Sequence, residues 1–203
     1  VPPTLRPDYT AFITELYGAM KQVGLGLTLS VPAKTEDIPE SPWTGAFDYA
    51  ALAPYADKIV IMTYDEHLPG FPAGPIASIP WVNQVMAYVV TQIPHDKVLL
   101  GVAAYAYNWV QGTTTGIAQS VPNALNLVAQ YHATIQWDPA AMVPFFTYTN
   151  SSGQNRIVYF ENAQSTAAKL AIMRKYDLGG IAIWRLGLEE PGIWPVVAQQ
   201  INR

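Results

Sequence analysis

The sequence has 203 residues, of which 50% are hydrophobic and 13% charged, so the chain can bury a sizeable core and is unlike a disordered protein. A formal net charge of -4 provides no basic field for phosphate groups, which argues against nucleic-acid and anionic membrane partners. The absence of cysteine excludes disulfides, thiol nucleophiles and thiolate metal sites. No apolar run has the length of a membrane span, and no targeting segment is recognisable.

The first predicted elements are a helix and a strand. After Pro7, apolar residues recur at the spacing of one buried helical stripe until Gly24 ends the pattern. The positions of this stripe are Tyr9, Phe12, Ile13, Leu16, Met20 and Val23. In residues 25–31 large aliphatic residues alternate with small ones, which predicts a barrel strand with its small residues on the inner face. A surface loop over residues 34–47 and a short helix capped by Asp48 follow.

The second predicted strand carries the most informative residues. Residues 59–62 are continuously apolar, which predicts a parallel strand buried on both faces, and they run directly into Tyr64, Asp65 and Glu66. In α/β barrels the chemistry gathers at the carboxyl ends of the strands, so this order is typical of an active-site strand. A core strand followed by an ordinary polar loop explains this single segment equally well.

Two further predicted strands end in aromatic residues. Residues 98–107 form the third strand, with Tyr105 and Tyr107 near its end, and residues 180–184 form the fourth, ending at Trp184. Predicted helices begin at Ser78 and cover residues 163–176, and this alternation of strand and helix favours right-handed crossovers and a parallel sheet. A closed barrel of this kind needs eight strands, so the sequence predicts half a barrel.

The segment between residues 110 and 162 interrupts this alternation. Its predicted elements are a Thr/Gly loop, a helix over residues 121–131, a strand over 133–137 and a hairpin with arms at 145–149 and 156–160. We therefore predict an inserted α+β subdomain over residues 110–162, and a barrel-type part formed by residues 1–109 and 163–203.

The sequence predicts no metal and no cofactor. His67, His95 and His132 are far apart, and none forms a helical pair at zinc-ligand spacing. No Gly-x-Ser-x-Gly, Gly-x-Gly-x-x-Gly or Walker-type loop follows a predicted strand. Aromatic and carboxylate residues at neighbouring strand ends remain, and these suit sugars, which offer flat apolar faces and hydroxyl groups.

Three strand motifs, in the expected order, resemble glycoside hydrolase family 18, the chitinase-like barrels. Residues 62–65 (Met-Thr-Tyr-Asp) are similar to the Met-x-Tyr-Asp signature of the sixth strand, residues 101–105 to the seventh strand, and residues 181–184 to the eighth with its tryptophan. Residues 184–191 are close to the version in bacterial proteins fused to polysaccharide deacetylase and glycosyltransferase domains, and spore-wall peptidoglycan hydrolases look similar. The resemblance implies an α/β fold of the (β/α)8 TIM-barrel type, represented by strands 5 to 8, with an α+β insertion after strand 7.

The resemblance also implies a retaining mechanism in which the substrate's own acetamido oxygen attacks the anomeric carbon. The predicted catalytic residues are Tyr64 and Asp65, and the predicted substrate-binding residues are Met62, Glu66, Tyr105 and Trp184. Tyr64 matches the donor to the acetamido group, Asp65 would lie beside the general acid and help to hold its proton, and Trp184 would floor the pocket. Met62 also fits a core position, and Glu66 also fits a solvated loop.

The family's general acid ends an Asp-x-x-Asp-x-Asp-x-Glu motif on the fourth strand, and this motif does not occur in the sequence. Residues 1–9 resemble the segment just after that motif, so we expect the chain to be inactive alone. The expected partners are an N-acetylglucosamine-containing glycan (chitin, peptidoglycan or an exopolysaccharide) and either an amino-terminal half barrel or a second copy, in an extracellular or cell-envelope location. Two alternatives stay open: a chitinase-like binding module without the acid, and an interaction role for the aromatic insertion.

Overall fold

The computed structural model describes residues 1–201, which divide into two compact units. The first, called here the parallel-sheet unit, contains Val1–Thr63, Asn83–Gly101 and Ile172–Ala182. The second, called the antiparallel-sheet unit, contains Tyr64–Val82, Val102–Ala171 and the chain from Ile183 onward. None of the helices within residues 1–201 combines the length and the apolar character that a membrane crossing requires.

The helices and strands follow one another in a largely alternating order. They are α1 (Arg6–Gln22), β1 (Thr28–Pro32), α2 (Tyr49–Leu52), β2 (Lys58–Met62), α3 (Ile79–Val89), β3 (Val98–Ala103), β4 (Ala106–Val110), β5 (Gly116–Gln119), α4 (Val121–Tyr131), β6 (Gln136–Asp138), β7 (Val143–Thr149), β8 (Asn155–Phe160), α5 (Ala163–Lys175), β9 (Gly180–Trp184) and α6 (Ile193–Ile201). Short 3-10 turns cover Pro3–Leu5, Ala53–Tyr55 and His95–Lys97.

The parallel sheet has the strand order β1-β2-β3-β9. β1 pairs in parallel with β2, with Leu29 opposite Ile59, and β2 pairs in parallel with β3, with Ile59 opposite Val98. Leu29 is buried whereas Ser30 is exposed, as the predicted alternation of large and small residues requires. The predicted α/β class is confirmed, and each of the four predicted barrel-type strands contributes one strand to this sheet.

The predicted buried stripe of α1 is confirmed in part, because Tyr9, Leu16 and Met20 are half-buried. Ile13 is the one buried residue of the helix, and Phe12 and Val23 are 57% and 68% exposed. The helix packs mainly against α2 and the turn Ala53–Tyr55, so only a narrow side of it is covered. Asp48 caps α2 as predicted, because its carboxylate accepts a hydrogen bond from the Ala51 amide.

Two strand predictions also need correction. β2 is fully buried only at Ile59 and Ile61, while the alternate residues Val60 and Met62 are half-buried, because successive side chains point to opposite faces of the sheet. The predicted third strand, residues 98–107, is two strands that belong to different sheets. The chain changes sheet between them, where the Ala104 amide donates to the Trp184 carbonyl at 2.7 Å.

The antiparallel-sheet unit is built on a five-stranded sheet with the order β5-β4-β8-β7-β6. The predicted hairpin is present, since β7 and β8 pair antiparallel around the turn at residues 150–154. Helix α4 has the predicted bounds and is capped by Ser120, and β6 begins three residues later than predicted. β5 was not predicted, because its short Gly-Ile-Ala-Gln segment contains a single β-branched residue. The predicted limits of the subdomain, residues 110–162, stay a prediction.

Candidate active site

The antiparallel-sheet unit begins at Tyr64, directly after the apolar body of β2. Asp65 has a φ of 63°, in the left-handed region that aspartate tolerates better than most residues. The Tyr64 ring lies edge-on to the Tyr105 ring, with 6.4 Å between the ring centroids. A positive φ such as that of Asp65 is a backbone strain often found at functional sites, where the surrounding contacts hold the strained residue in place.

Asp65 is held by the hydroxyl groups of two tyrosines. Tyr105 and Tyr107 both donate to Asp65 Oδ1, Tyr107 at 2.7 Å. An oxygen of a carboxylate has two lone pairs, so Oδ1 is fully used by these two donors. Within residues 1–201 both hydrogen bonds to the Asp65 carboxylate go to Oδ1, which leaves Oδ2 as an acceptor for another molecule.

The three tyrosines of the site keep their protons at neutral pH. Burial, together with the negative charge of Asp65, raises the pKa of Tyr64 to about 12. Burial and the same carboxylate raise the pKa of Tyr105 and the pKa of Tyr107 well above the usual range of a phenol. All three hydroxyl groups are therefore hydrogen-bond donors under physiological conditions.

A pocket of ≈ 300 Å³ opens beside Asp65. It is lined by Asp65, Tyr105, Tyr107, Ala118, Gln119, Ser120, Trp184, Arg185 and Leu188. Asp65 is the only carboxylate and Arg185 the only cation among these lining residues. Trp184 is 56% exposed, so one face of its indole is open to a flat apolar ligand.

The other two predicted site residues, Glu66 and Met62, lie beside the start of α3 and at the end of β2. Glu66 accepts hydrogen bonds from the Ser78 amide at 2.6 Å and from the Ser78 hydroxyl at 3.0 Å, at the start of α3. A carboxylate at a helix N-terminus is stabilised by the helix dipole, so Glu66 holds the start of this helix. Met62 is the last residue of β2 and is half-buried in the parallel-sheet unit. The substrate-binding roles of both residues stay predictions.

The structure thus brings together Asp65, Tyr105 and Trp184, with Tyr64 packed against Tyr105. Sequence reasoning missed Tyr107 as the second donor to Asp65, and it missed the wall formed by the end of β5 and Ser120. The spacing of Tyr105 and Tyr107, two residues apart on an extended segment, was the available signal for Tyr107. No comparable signal marks the segment 118–120.

The arrangement is suited to binding a sugar through its face and its polar groups. The exposed indole offers a stacking surface, the Asp65 Oδ2 accepts from a hydroxyl or an amide, and the protonated Tyr64 hydroxyl is a donor. Within residues 1–201, no three His, Asp or Glu side chains gather where a single metal ion could bind them.

Comparison with protein families matches residues 3–189 to the family described as Glycosyl hydrolases family 18. The chain is 32% identical over 204 residues to the cortical fragment-lytic enzyme of Bacillus subtilis (strain 168), covering 98% of this chain and 47% of that protein. It therefore spans about half the length of the curated relatives it matches.

Solved structures give the same result. A chitinase from Chromobacterium violaceum ATCC 12472 superimposes with a TM-score of 0.93 at 32% identity, covering 100% of this chain and 64% of that chain. The spore cortex-lytic enzyme SleL of Bacillus megaterium QM B1551 superimposes with a TM-score of 0.90 at 30% identity, covering 98% and 47%. The resemblance noted in the strand motifs is confirmed by the match of nearly the whole chain, and the chain belongs to glycosyl hydrolases family 18.

Proposed function

We propose that this chain supplies the acetamido-orienting and sugar-stacking side of a retaining, substrate-assisted glycosidase that cleaves β-1,4 bonds in an N-acetylglucosamine-containing polysaccharide. The observation that carries the proposal is the grouping of a protonated Tyr64, an Asp65 with one free oxygen and an exposed Trp184 in one unit. The names of the relatives, a cortical fragment-lytic enzyme and a chitinase, support a wall polysaccharide or chitin as the substrate class.

Each residue has a role in the proposed mechanism. The acetamido oxygen of the substrate forms a bond to the anomeric carbon while the glycosidic bond breaks, and an acid gives its proton to the leaving oxygen. Tyr64 donates a hydrogen bond to the acetamido group and holds it in position for this attack. The free Asp65 oxygen lies beside the acid, and Trp184 stacks under the sugar at the cleavage point. Water then hydrolyses the cyclic intermediate, so the configuration at the anomeric carbon is retained.

The same proposal covers location and partners. A polymeric wall glycan is met outside the cytoplasm, so we expect the protein to act in an extracellular or cell-envelope location. Its general acid must come from sequence that contains the Asp-x-x-Asp-x-Asp-x-Glu motif, because residues 1–203 do not contain it. We propose as the partner of the chain either an amino-terminal half barrel that carries this motif or a second copy of the chain.

A second candidate function is glycan binding without catalysis. The specific observation in its favour is that Asp65, the only carboxylate lining the pocket, uses Oδ1 to accept two hydrogen bonds. A carboxylate held in this way binds and orients a ligand, and it is not positioned to give up a proton.

Binding and turnover measurements distinguish the two candidates. The chain should bind an N-acetylglucosamine tetramer and should not bind cellotetraose, which lacks the acetamido groups, when both are titrated by calorimetry. Tyr64→Phe should weaken this binding by about 1 kcal/mol, the value of one neutral hydrogen bond. Tyr131→Phe is the matched control, since it removes a phenol hydroxyl in the same unit away from the pocket.

Turnover is measured with a fluorogenic chitobioside. The chain alone should release no fluorophore, whereas the chain joined to sequence that carries the family's acid motif should release it. In the joined protein, Tyr64→Phe should lower kcat about 100-fold and change KM much less. If the joined protein binds the tetramer but never turns over, the binding-module candidate is correct. Equal binding of cellotetraose and the N-acetylglucosamine tetramer would contradict both candidates.

A further inference from the structure

We propose that Tyr107 is a positioning residue, which acts on the ligand through Asp65 by holding Oδ1 so that Oδ2 faces the pocket. The inference deepens the proposed function and rests on it only in its last step, the effect on glycan binding. The placement of Asp65 by Tyr107 stands on the geometry of the antiparallel-sheet unit.

Tyr107 is fixed by its strand and by its neighbours. It lies on β4, opposite Ala118 of β5 on one side and Tyr159 of β8 on the other, and it is 9% exposed. Its ring packs edge-on against Tyr105 at 5.1 Å and against Trp109 at 5.6 Å between ring centroids. A phenol held on both sides of its strand and on both sides of its ring has little freedom to move its hydroxyl group.

The two tyrosines that donate to Asp65 differ in how firmly the sheet holds their backbone. Tyr105 precedes β4 and lies in the segment where the chain changes from one sheet to the other, whereas Tyr107 lies inside a paired strand. Both donate to the same oxygen, and Tyr107 does so at 2.7 Å. Asp65 has a positive φ and lies outside the strands. The hydrogen bond from Tyr107 therefore fixes its orientation relative to the rigid antiparallel sheet.

The consequence for a ligand follows from the lone pairs of the carboxylate. With Oδ1 fully used, the acceptor available at the pocket is Oδ2, in a direction set by the Tyr107 hydroxyl. Loss of this hydrogen bond lets the carboxylate rotate, so both oxygens compete for the remaining donor and for the ligand. A displacement of about 1 Å of a group that positions the ligand weakens ligand binding by a large factor.

The first test is spectroscopic and needs no ligand. The side-chain carboxyl carbons of the chain are labelled with ¹³C, and the Asp65 resonance is identified by its loss in Asp65→Ala. Tyr107→Phe should shift this resonance at neutral pH, because it removes a hydrogen bond and keeps the ring. Tyr159→Phe, which removes a hydroxyl group from the residue opposite Tyr107 on β8, should leave it unchanged. An unshifted Asp65 resonance in Tyr107→Phe overturns the proposal.

The second test is a double-mutant cycle on binding of the N-acetylglucosamine tetramer. Tyr107→Phe should raise Kd about tenfold in the wild-type background and should have no further effect in the Asp65→Ala background, because the residue acts through Asp65. The same loss in both backgrounds would show a packing role and overturn the proposal. If the wild-type chain does not bind the tetramer, the proposed function fails, and the carboxyl resonance alone decides whether Tyr107 positions Asp65.

Discussion

At the scale of single residues, the aromatic side chains of the site differ in how much of their surface meets water. Trp184 is 56% exposed, whereas Tyr105 and Tyr107 are 5% and 9% exposed. The two buried tyrosines can act only through their hydroxyl groups, which both donate to Asp65. Trp184 is thus the aromatic residue of the pocket with a free ring face to offer a sugar.

Trp184→Ala should therefore weaken binding of the N-acetylglucosamine tetramer by about 1.5 kcal/mol, roughly tenfold in Kd, through loss of the stacking surface. Its exposed position means that the free energy of unfolding should change by less than about 0.5 kcal/mol. Calorimetric titration and urea unfolding measure the two quantities. Trp43→Ala is the control, because Trp43 is also exposed, at 78%, and lies in the parallel-sheet unit. Equal losses in the two variants would mean that Trp184 is not part of the sugar site.

At the scale of elements, the loop after β1 is held by a charge network within the parallel-sheet unit. Arg6 pairs with Asp37 at 2.6 Å and with Asp48 at 2.8 Å, and its guanidinium also donates to the Gly45 carbonyl. Lys34, 6% exposed, adds an ion pair to Asp37 at 2.6 Å. The network connects the start of α1 to both ends of a loop that has no regular structure of its own.

This network predicts a pH dependence of stability. The Arg6 guanidinium, with Lys34, lowers the pKa of Asp37 from 3.8 to about 2. The ionised Asp37 carboxylate therefore stabilises the fold fully above about pH 4, and this stabilisation is lost as the pH falls through about 2. Asp37→Asn should lower the free energy of unfolding at pH 7 by about 1 kcal/mol, since water screens this partly exposed carboxylate. The difference from wild type should shrink between pH 4 and pH 2 in urea unfolding curves.

Glu36→Gln is the matched control for this experiment, because Glu36 is an exposed carboxylate in the same loop. It should change neither the stability at pH 7 nor its pH dependence. A constant difference between Asp37→Asn and wild type across this pH range would contradict the role of the ion pair.

A second element-scale feature is the buried ion pair between Glu161, which directly follows β8, and Lys169 of α5. Lys169 Nζ lies 2.8 and 2.7 Å from the two Glu161 oxygens, and both side chains are 1% exposed. The Glu161 amide also donates to the Tyr105 carbonyl at 3.3 Å, so the pair stands next to the backbone of a site tyrosine. Removing one partner leaves the other charge buried without compensation.

Lys169→Met should consequently lower the free energy of unfolding by about 3–5 kcal/mol. The double variant Lys169→Met/Glu161→Leu should recover most of that loss, because it removes the buried charge as well as its partner. Urea unfolding of wild type and of both variants measures the difference. A double variant as unstable as Lys169→Met would show that the cost lies in packing and not in the unpaired carboxylate.

At the scale of the whole molecule, the parallel sheet has two outer strands. β1 and β9 occupy the ends of the order β1-β2-β3-β9, and each presents an edge that no strand within residues 1–201 pairs. Thr28 and Ser30 on β1 are also exposed. Unpaired backbone donors and acceptors on an outer strand favour pairing with another chain.

The chain expressed alone should therefore associate into dimers or larger assemblies, unless sequence that supplies pairing strands is expressed with it. Light scattering at micromolar concentration should give a mass above that of one chain, and Ser30→Lys should shift the distribution toward the monomer, because a charge on an outer strand opposes pairing. A monodisperse wild-type monomer with a sharp thermal transition would contradict this expectation.

Much of the fold could be predicted because its signals are local. The bounds of α4 and β9 agree with the sequence patterns, since a capping serine, an apolar periodicity and a flanking glycine act within a few residues. The Met-Thr-Tyr-Asp and Ile-Ala-Ile-Trp segments identify the family for the same reason, and the family match covers residues 3–189.

The sequence by itself thus determined the fold class, the family and the residues Tyr64, Asp65, Tyr105 and Trp184 as candidates. Only the tertiary structure decided that Tyr107 meets Asp65 across 42 residues of chain, that Lys169 is buried against Glu161, and that Phe12 in α1 and Val23 just after it are exposed. Each of these depends on which elements pack together over long separations. Periodicity and propensity describe one element at a time, so they predict that a face is apolar or that a tip is polar, and they do not predict its partner.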